Sequence, residues 1–219
     1  MEQLGTQRAM RNILRRGLEI STVIDIGASN GSWSKELMPL IPHADYVLIE
    51  AQRSHENALV EFCKAYQNAQ YILAAAGNDN GVCYFDDADP FGGLASLEKG
   101  FADCYTKLPM IAVDSVISGR NLKAPFLLKL DTHGFEIPIL EGAKHCLQNT
   151  HLVVIEAYIF RLNARALLFH ELCTYMYGRG FQCIDMSEPI WREKDNALWQ
   201  WDLFFQPKKF PIFQDISYI

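Results

Sequence analysis

Asp131 and His133 stand two residues apart, directly after the apolar run Phe126-Leu127-Leu128-Lys129-Leu130 and just before Gly134. A carboxylate or an imidazole so placed can take the proton from a hydroxyl, which is a poor nucleophile until that proton leaves. Either group can instead hold a divalent metal ion that acidifies the hydroxyl. Glu156, closing the later run Leu152-Val153-Val154-Ile155, can bring a second carboxylate. Ligands of open α/β sheets gather at the carboxyl ends of strands, which is where Asp131 falls. The plainer reading makes Asp131 a helix cap and His133 a surface residue. Lys129 shares a strand face with Asp131, and a lysine in a strand buried on both sides needs an anionic partner.

A second chemical signal lies in residues 23–34. Val23, Ile24 and Ile26 surround Asp25 and lead into Gly27-Ala28-Ser29-Asn30-Gly31, with a helix predicted from Ser32. Glycine in such a turn lets a ligand approach the backbone. A further apolar run, Tyr46-Val47-Leu48-Ile49, ends in Glu50 and Ala51. A carboxylate there can accept the two hydroxyl hydrogen bonds that a ribose offers. Together these features imply a nucleoside-containing cofactor. The spacing Gly27-xxx-Gly31, followed by Ser32-Trp33, matches neither the GxGxxG of dinucleotide sites nor the GxxxxGK of a P-loop. An NAD(P)-dependent oxidoreductase is therefore the alternative, not the leading reading. The pattern D-x-G-x-x-x-G resembles the first motif of class I S-adenosylmethionine-dependent methyltransferases. In those the turn passes under methionine and adenosine, and no phosphate has to be bound.

Strands that could carry these residues are predicted at 23–27, 46–50, 71–75, 126–131 and 152–157, with helical segments such as 54–67 (capped by Ser54) and 136–147 between them. Alternation with nearly all-apolar strands indicates a parallel sheet covered on both faces. Residues 1–20 read as a basic helix whose Arg8, Arg11, Arg15 and Arg16 form a solvated face. The stretch 76–118, rich in Gly, Asp and Pro, reads as an inserted hairpin or lid. A helix over 165–178 is followed by strands at 180–184 and 198–205. A loop between two strands makes them antiparallel, so the sheet ends in a reversed hairpin. One domain over 1–219 is expected. In a methyltransferase sheet the strand of Lys129 lies between those of Asp25 and Glu156, so Lys129 is expected to pair with one or both.

Composition narrows the class. The 219 residues are 49% hydrophobic and 21% charged, which excludes disorder and a membrane bundle. No apolar run reaches the ~20 residues of a membrane span. A net charge of -6 argues against nonspecific nucleic-acid binding. Six cysteines without a CxxC pair read as free thiols of a cytoplasmic protein. The Asp86-Asp87-Asp89 cluster could hold a cation with Asp131, but acids on a Gly/Pro-rich loop read as solvated. Trp199 and Trp201, on one strand face, and Trp191 read as packing residues in preference to a sugar-stacking platform. The apolar tail from Phe210 is expected to pack on its own domain or on a second copy, which makes a homo-oligomer an option.

Taken in order, these motifs resemble the FkbM-type methyltransferases over roughly residues 20–205. The most distinctive element is K-x-D-x-x-G-x-E with the following leucine and glycine, matched by Lys129, Asp131, Gly134, Glu136, Leu140 and Gly142. Val113-Asp114 and Asp202-Leu203-Phe204-Phe205 also fit. The resemblance implies a Rossmann-like, doubly wound, mostly parallel seven-stranded α/β sheet of the class I methyltransferase type, with an antiparallel C-terminal hairpin and an inserted β-hairpin. It implies S-adenosylmethionine as cofactor, lined by Asp25, Gly27, Ala28, Ser29, Asn30, Gly31 and Trp33. Glu50 with Ala51 would hold the ribose, and Ala75 and Ala76 would flank the adenine. Asp131 would face the transferred methyl. His133 stands where many relatives carry Glu or Gln, and Trp33 where a smaller aromatic is common. Acceptors in this group include hydroxyls of glycans, glycolipids and polyketides, so O-methylation of a sugar, glycan or glycosylated metabolite is the expected activity. No metal is implied, although a divalent ion would suit the chemistry. A noncatalytic methyltransferase-fold partner subunit is the remaining alternative.

Overall fold

The computed structural model describes residues 4–89, 92–98 and 105–218. In chain order its strands are β1 (Thr22–Ile26), β2 (Asp45–Glu50), β3 (Ala69–Leu73), β4 (Ala75–Gly77), β5 (Gly81–Asp86), β6 (Leu94–Ser96), β7 (Tyr105–Ala112), β8 (Phe126–Leu130), β9 (Thr150–Tyr158), β10 (Phe181–Trp191) and β11 (Leu198–Pro207). The helices are α1 (Thr6–Leu14), α2 (Ser32–Leu37), α3 (Glu56–Ala65), α4 (Val113–Arg120), α5 (Glu136–Glu141), α6 (Lys144–Gln148) and α7 (Phe169–Gly178).

Seven strands form one sheet in the order β10-β11-β9-β8-β1-β2-β3. The five from β9 to β3 run parallel, while β11 is antiparallel to both β9 and β10. Every residue of β1 and β8 is buried, which explains why those segments carry almost no polar side chains. One face packs Ile24, Ile49, Leu128 and Ile155 against α4, α5 and α7; the other packs Val23, Leu48, Leu127 and Val154 against α1 to α3. The chain leaves β1 toward β2 on one side and returns to β8 on the other. That reversal opens a crevice beyond the carboxyl ends of β1 and β8. Gly27 and Asp131 sit on its two lips.

The inserted region is larger than the expected hairpin. Strands β4, β7, β5 and β6 make a second sheet of four, with β7 parallel to β4 and antiparallel to β5. The 71–75 segment accordingly divides between the two sheets. The segment expected as one helix over 136–147 breaks into α5 and α6. Gly142 passes Gly77 so closely that a Cβ would stand 2.0 Å from the Gly77 carbonyl oxygen. Asp114 then caps α6 from a distance, accepting the backbone N–H groups of His145 at 2.9 Å and Cys146 at 2.8 Å. Ser54 is not a cap; a short 3-10 turn precedes α3. Helix α7 starts only at Phe169, because Asn163 Oδ1 accepts from the N–H groups of Arg165 and Ala166 and holds the preceding segment in a turn.

Arg8 does not lie on a solvated face: it pairs with Asp185 Oδ1 at 2.9 Å and ties α1 to β10. Trp199 stacks on Phe160 with ring centres 5.5 Å apart, and Trp201 meets Phe169 edge-on at 5.2 Å, whereas Trp191 is exposed. Cys63, Cys83, Cys146, Cys173 and Cys183 are free thiols, and Cys104 lies outside the described residues. Phe210 packs against His151, but Ile216 and Tyr218 stand clear of the domain. Among the described residues no helix is long and apolar enough to cross a membrane.

Candidate active site

The turn after β1 is built by two constraints. Gly27, Ser29 and Gly31 all have positive φ, at 71°, 49° and 81°. At Gly27 space is also lacking, since a Cβ would lie 1.9 Å from the carbonyl oxygen of Asp131. The N–H groups of Gly27 and Ala28 both bond to the Ile49 carbonyl, and the N–H of Asp131 bonds to that of Ile26. The turn is thereby laced to β2 and to the end of β8. Glu50 completes the lacing: its Oε2 accepts from the N–H of Ser29 at 2.7 Å, and its Oε1 from the N–H of Gln52 at 2.6 Å. A carboxylate has about four lone-pair sites, so each Glu50 oxygen keeps acceptor capacity beyond these two bonds.

Above the turn lies a cleft with about 680 Å³ of empty space, counting its open mouth. That is within the ~300–1,000 Å³ of small-molecule sites. Its floor is apolar, from Ile26, Ile49, Phe135 and Ile139, and Ala74 to Ala76 form one wall. Phe85 and Ala95 of the second sheet, with Gly93 just before β6, reach over it. Glu50 and Asp131 supply carboxylates at separate points of the rim. A flat apolar slot next to a buried carboxylate fits an adenosine.

Beside the cleft the sheet carries a line of charges. Lys129 Nζ lies 3.2 Å from Asp25 Oδ1, 3.3 Å from Asp131 Oδ2 and 3.1 Å from the Gly27 carbonyl. Burial opposes its charge, but Asp25 and Asp131 more than offset that, and the ammonium is held above its ordinary pKa. Its partner on the neighbouring strands is Asp25, level with it on β1, and not Glu156, because the β9 residue level with Lys129 is Val154 and Glu156 lies two residues farther toward the carboxyl end of that strand. Asp131 is half-buried, and Lys129 and His133 hold its carboxyl below the usual range against the desolvation that would raise it. Glu156 is pushed up to about 9 by burial and by the charge of Asp131.

His133 Nε2 stands 3.5 Å from both Asp131 Oδ1 and Glu156 Oε2, and its Nδ1 is 3.3 Å from the Gly93 carbonyl. Tyr158 O–H and Gln200 Nε2 each donate to Glu156. The surface reading of His133 fails, since its side chain is 21% exposed and turned into this group. Positive φ at His133 and Gly134 folds the chain back to achieve it. Nor does Asp131 cap the following helix: the N–H of Gly134 donates to Glu136 Oε1 instead.

The family profile of the methyltransferase FkbM domain matches residues 25–183. This chain belongs to the FkbM methyltransferase family. Solved structures agree on the fold. Methyltransferase FkbM of Methylobacillus flagellatus KT is 17% identical, with a TM-score of 0.55 over 84% of this chain and 43% of that one. This chain thus spans less than half of that relative. A putative O-methyltransferase from Klebsiella pneumoniae is 9% identical, with a TM-score of 0.54 over 94% of this chain and 82% of its own. Streptococcus pneumoniae Sp1610, a putative tRNA (m1A22) methyltransferase in complex with S-adenosyl-L-methionine, is 10% identical, with a TM-score of 0.52 over 96% and 75%. No curated protein matches the sequence. At these identities the likeness establishes the class I methyltransferase fold and leaves the acceptor to the site itself.

In this FkbM-family site the residues singled out from sequence fall into two groups. Gly27, Ser29, Glu50, Ala51, Ala75, Ala76, Asp131 and His133 border the cleft, and Glu156 meets His133 at its edge. Asp25, Ala28, Asn30, Gly31 and Trp33 stand off it. Asp25 is fully buried, pairs with Lys129 and accepts a 2.7 Å hydrogen bond from Ser34 Oγ. Ala28 is buried in the core on the opposite face. Asn30 is exposed and its Oδ1 accepts from the N–H of Ser32 at the start of α2. A Cβ on Gly31 would press Phe62 and Leu48, and the Trp33 ring lies 5.7 Å from Lys129 Nζ.

Gln52, Phe85, Gly93, Ala95, Phe135 and Ile139 also line the cleft, although sequence reasoning missed them. The helical spacing of Phe135 and Ile139 was a usable signal; nothing in sequence ties Phe85, Gly93 or Ala95 to a turn so far upstream. Asp202 stood out in sequence only as part of a motif. Burial and the nearby Asp131 charge, partly offset by Lys129, push its carboxyl up to about 7. A carboxyl whose pKa is higher folded than unfolded takes up a proton on folding, so its contribution falls as pH rises from ~4 to about 7. Asp202→Asn is therefore expected to shrink the loss of Tm between pH 5 and pH 8, as thermal unfolding at the two pH values would show. An unchanged difference would count against it.

Proposed function

We propose that this FkbM-family methyltransferase transfers the methyl group of S-adenosylmethionine to a hydroxyl of a sugar, glycan or glycosylated metabolite. The observation that carries the reading is the Asp131–His133–Glu156 group at the rim of the cleft, away from Glu50. Bound S-adenosylmethionine supplies a methyl group on a sulfonium, whose displacement needs an aligned acceptor but no further activation of the methyl. The chain's own residues do the rest. Glu50 accepts the ribose hydroxyls while its other lone pairs hold the turn and Gln52 in place. Ile26, Ile49, Ala75 and Ile139 sandwich the base. Asp131, kept ionised chiefly by Lys129, faces the reacting methyl, and with His133 as a neutral imidazole it draws the proton from the acceptor. The second sheet and the 186–200 stretch, which forms the end of β10, a turn and the start of β11, shape the acceptor pocket, in keeping with specificity carried by loops over a rigid sheet. The free thiols favour the cytoplasm, and the net charge of -6 favours a small or glycan acceptor over a nucleic acid.

Calorimetric titration with S-adenosylhomocysteine tests the cofactor. Wild type is expected to bind in the micromolar range, and Glu50→Ala to bind at least ~tenfold more weakly, about 1.4 kcal/mol. Absence of binding by folded wild type would overturn the reading and make dinucleotides the next ligands to try.

A further inference from the structure

We propose that Asp131, His133 and Glu156 form a site for one divalent cation, with Mn²⁺ the best-matched ion. The purpose assigned to it rests on the methyl-transfer reading above. Among the described residues these three bring one ligand atom each to within 4.8 Å of one another. The Asp86-Asp87-Asp89 cluster forms no such group: at the end of β5, Asp86 Oδ1 accepts from the N–H of Ala88 and the exposed Asp87 accepts at Oδ2 from Thr106 Oγ1.

Geometry fits an ion. A cation with ~2.1 Å bonds holds its ligands ~3.0 Å apart at right angles and ~4.2 Å apart when opposed. His133 Nε2 is 3.5 Å from a carboxylate oxygen on each side, between those limits.

The imidazole carries an independent sign. A carbonyl can only accept, so the 3.3 Å contact with Gly93 puts the proton of the neutral ring on Nδ1. Nε2 is then left with its lone pair free to bind a metal ion, level with a carboxylate oxygen on each side. Metal-bound histidines are oriented by this kind of second hydrogen bond. Glu156 is likewise held, by Tyr158 O–H and Gln200 Nε2. It is 8% exposed, and among the described residues no lysine or arginine pairs with it. Lys129, the cation of this sheet face, is engaged by Asp25 and Asp131.

Two carboxylates with one imidazole and no thiolate suit Mn²⁺ better than Cu²⁺ or Zn²⁺, and the nitrogen disfavours Mg²⁺. Three protein ligands leave positions for water and for the acceptor oxygen. With the ion bound, a hydroxyl held there releases its proton to water at the cleft mouth, in place of direct transfer to Asp131 and His133. The oxygen then bonds to the methyl carbon as the carbon–sulfur bond breaks, and that electron pair stays on sulfur.

The test uses the full chain, treated with chelator and dialysed. MnCl2 is titrated while the electron paramagnetic resonance signal of free Mn²⁺ is recorded, with no cofactor present. One ion per chain is expected, with Kd of ~10⁻⁴ M or tighter. His133→Ala and Glu156→Gln should each weaken it at least ~tenfold, and the Asp86→Asn/Asp87→Asn pair should leave it unchanged. If Glu156→Gln fails to fold by circular dichroism, His133→Ala alone decides. No binding, binding indifferent to both variants, or binding lost in the loop pair would overturn the proposal. Titration of the same samples with S-adenosylhomocysteine separates the two readings. Cofactor binding without Mn²⁺ binding overturns the cation site and leaves methyl transfer standing; Mn²⁺ binding without cofactor binding does the reverse.

Discussion

Lys129→Met is expected to lower stability by ~3–5 kcal/mol, the usual effect of removing one partner of a buried ion pair. The substitution preserves most of the side-chain volume, so packing is not the cause. What remains is a carboxylate at Asp25 that is fully buried and keeps only the hydrogen bond from Ser34, together with an Asp131 that has lost its strongest support. For a chain of this size ~1 kcal/mol corresponds to ~2–4 °C in Tm, so a fall of ~10 °C should be seen in thermal unfolding. Adding Asp25→Asn should return part of the loss, because the amide can still accept from Ser34 without a charge to compensate. A single variant within ~1 kcal/mol of wild type would show that the pair does not hold the sheet together.

Gly27→Ala is expected to be the most damaging single change to the cleft. The added Cβ meets the Asp131 carbonyl at 1.9 Å, and the residue must hold φ of 71°. Neither atom belongs to a side chain that can swing away. Either β1 and β8 part at their carboxyl ends or the turn abandons its conformation. In both cases the bonds from Gly27 and Ala28 to Ile49 are strained and Ser29 is drawn away from Glu50. Strain of this kind costs ~1–3 kcal/mol from the backbone conformation alone. Affinity for S-adenosylhomocysteine should drop by more than ~tenfold, with Tm falling as well. Retained affinity in a folded variant would mean that the turn does not shape the cofactor site. Gly17, by contrast, has a similar φ of 81°, but a Cβ added there would meet nothing within 4 Å. Only the conformational part of the effect is expected at that position.

The alternation of apolar runs with helical segments was legible because a central parallel strand is apolar along most of its length, as β1, β2, β8 and β9 are apart from a few polar or charged residues. The reversed hairpin followed from a loop too short and polar to be a crossover helix. The second sheet was not legible in full: β7 carries lysine, threonine and proline on a half-exposed surface, where burial imposes no pattern. The division of the 136–147 helix was hidden for another reason. It depends on Gly77 and Asp114, neither of which is near it in sequence.

The same division runs through the candidate site. By itself the sequence determined the family, the fold class and the short list of groups able to do chemistry, since side-chain type and strand-end position are local properties. It also required Lys129 to have an anionic partner, because an unpaired buried ammonium is unstable in any fold. Only the tertiary structure decided that the partner is Asp25, and so removed Asp25 from the cleft that it precedes in sequence. It likewise set Ala28, Asn30, Gly31 and Trp33 off the cleft, while Phe85 of β5 and Gly93, which leads into β6, reach over it. It brought Glu156 to His133 by setting the register of β9 against β8. Those outcomes depend on distances between segments far apart along the chain, and packing alone sets such distances.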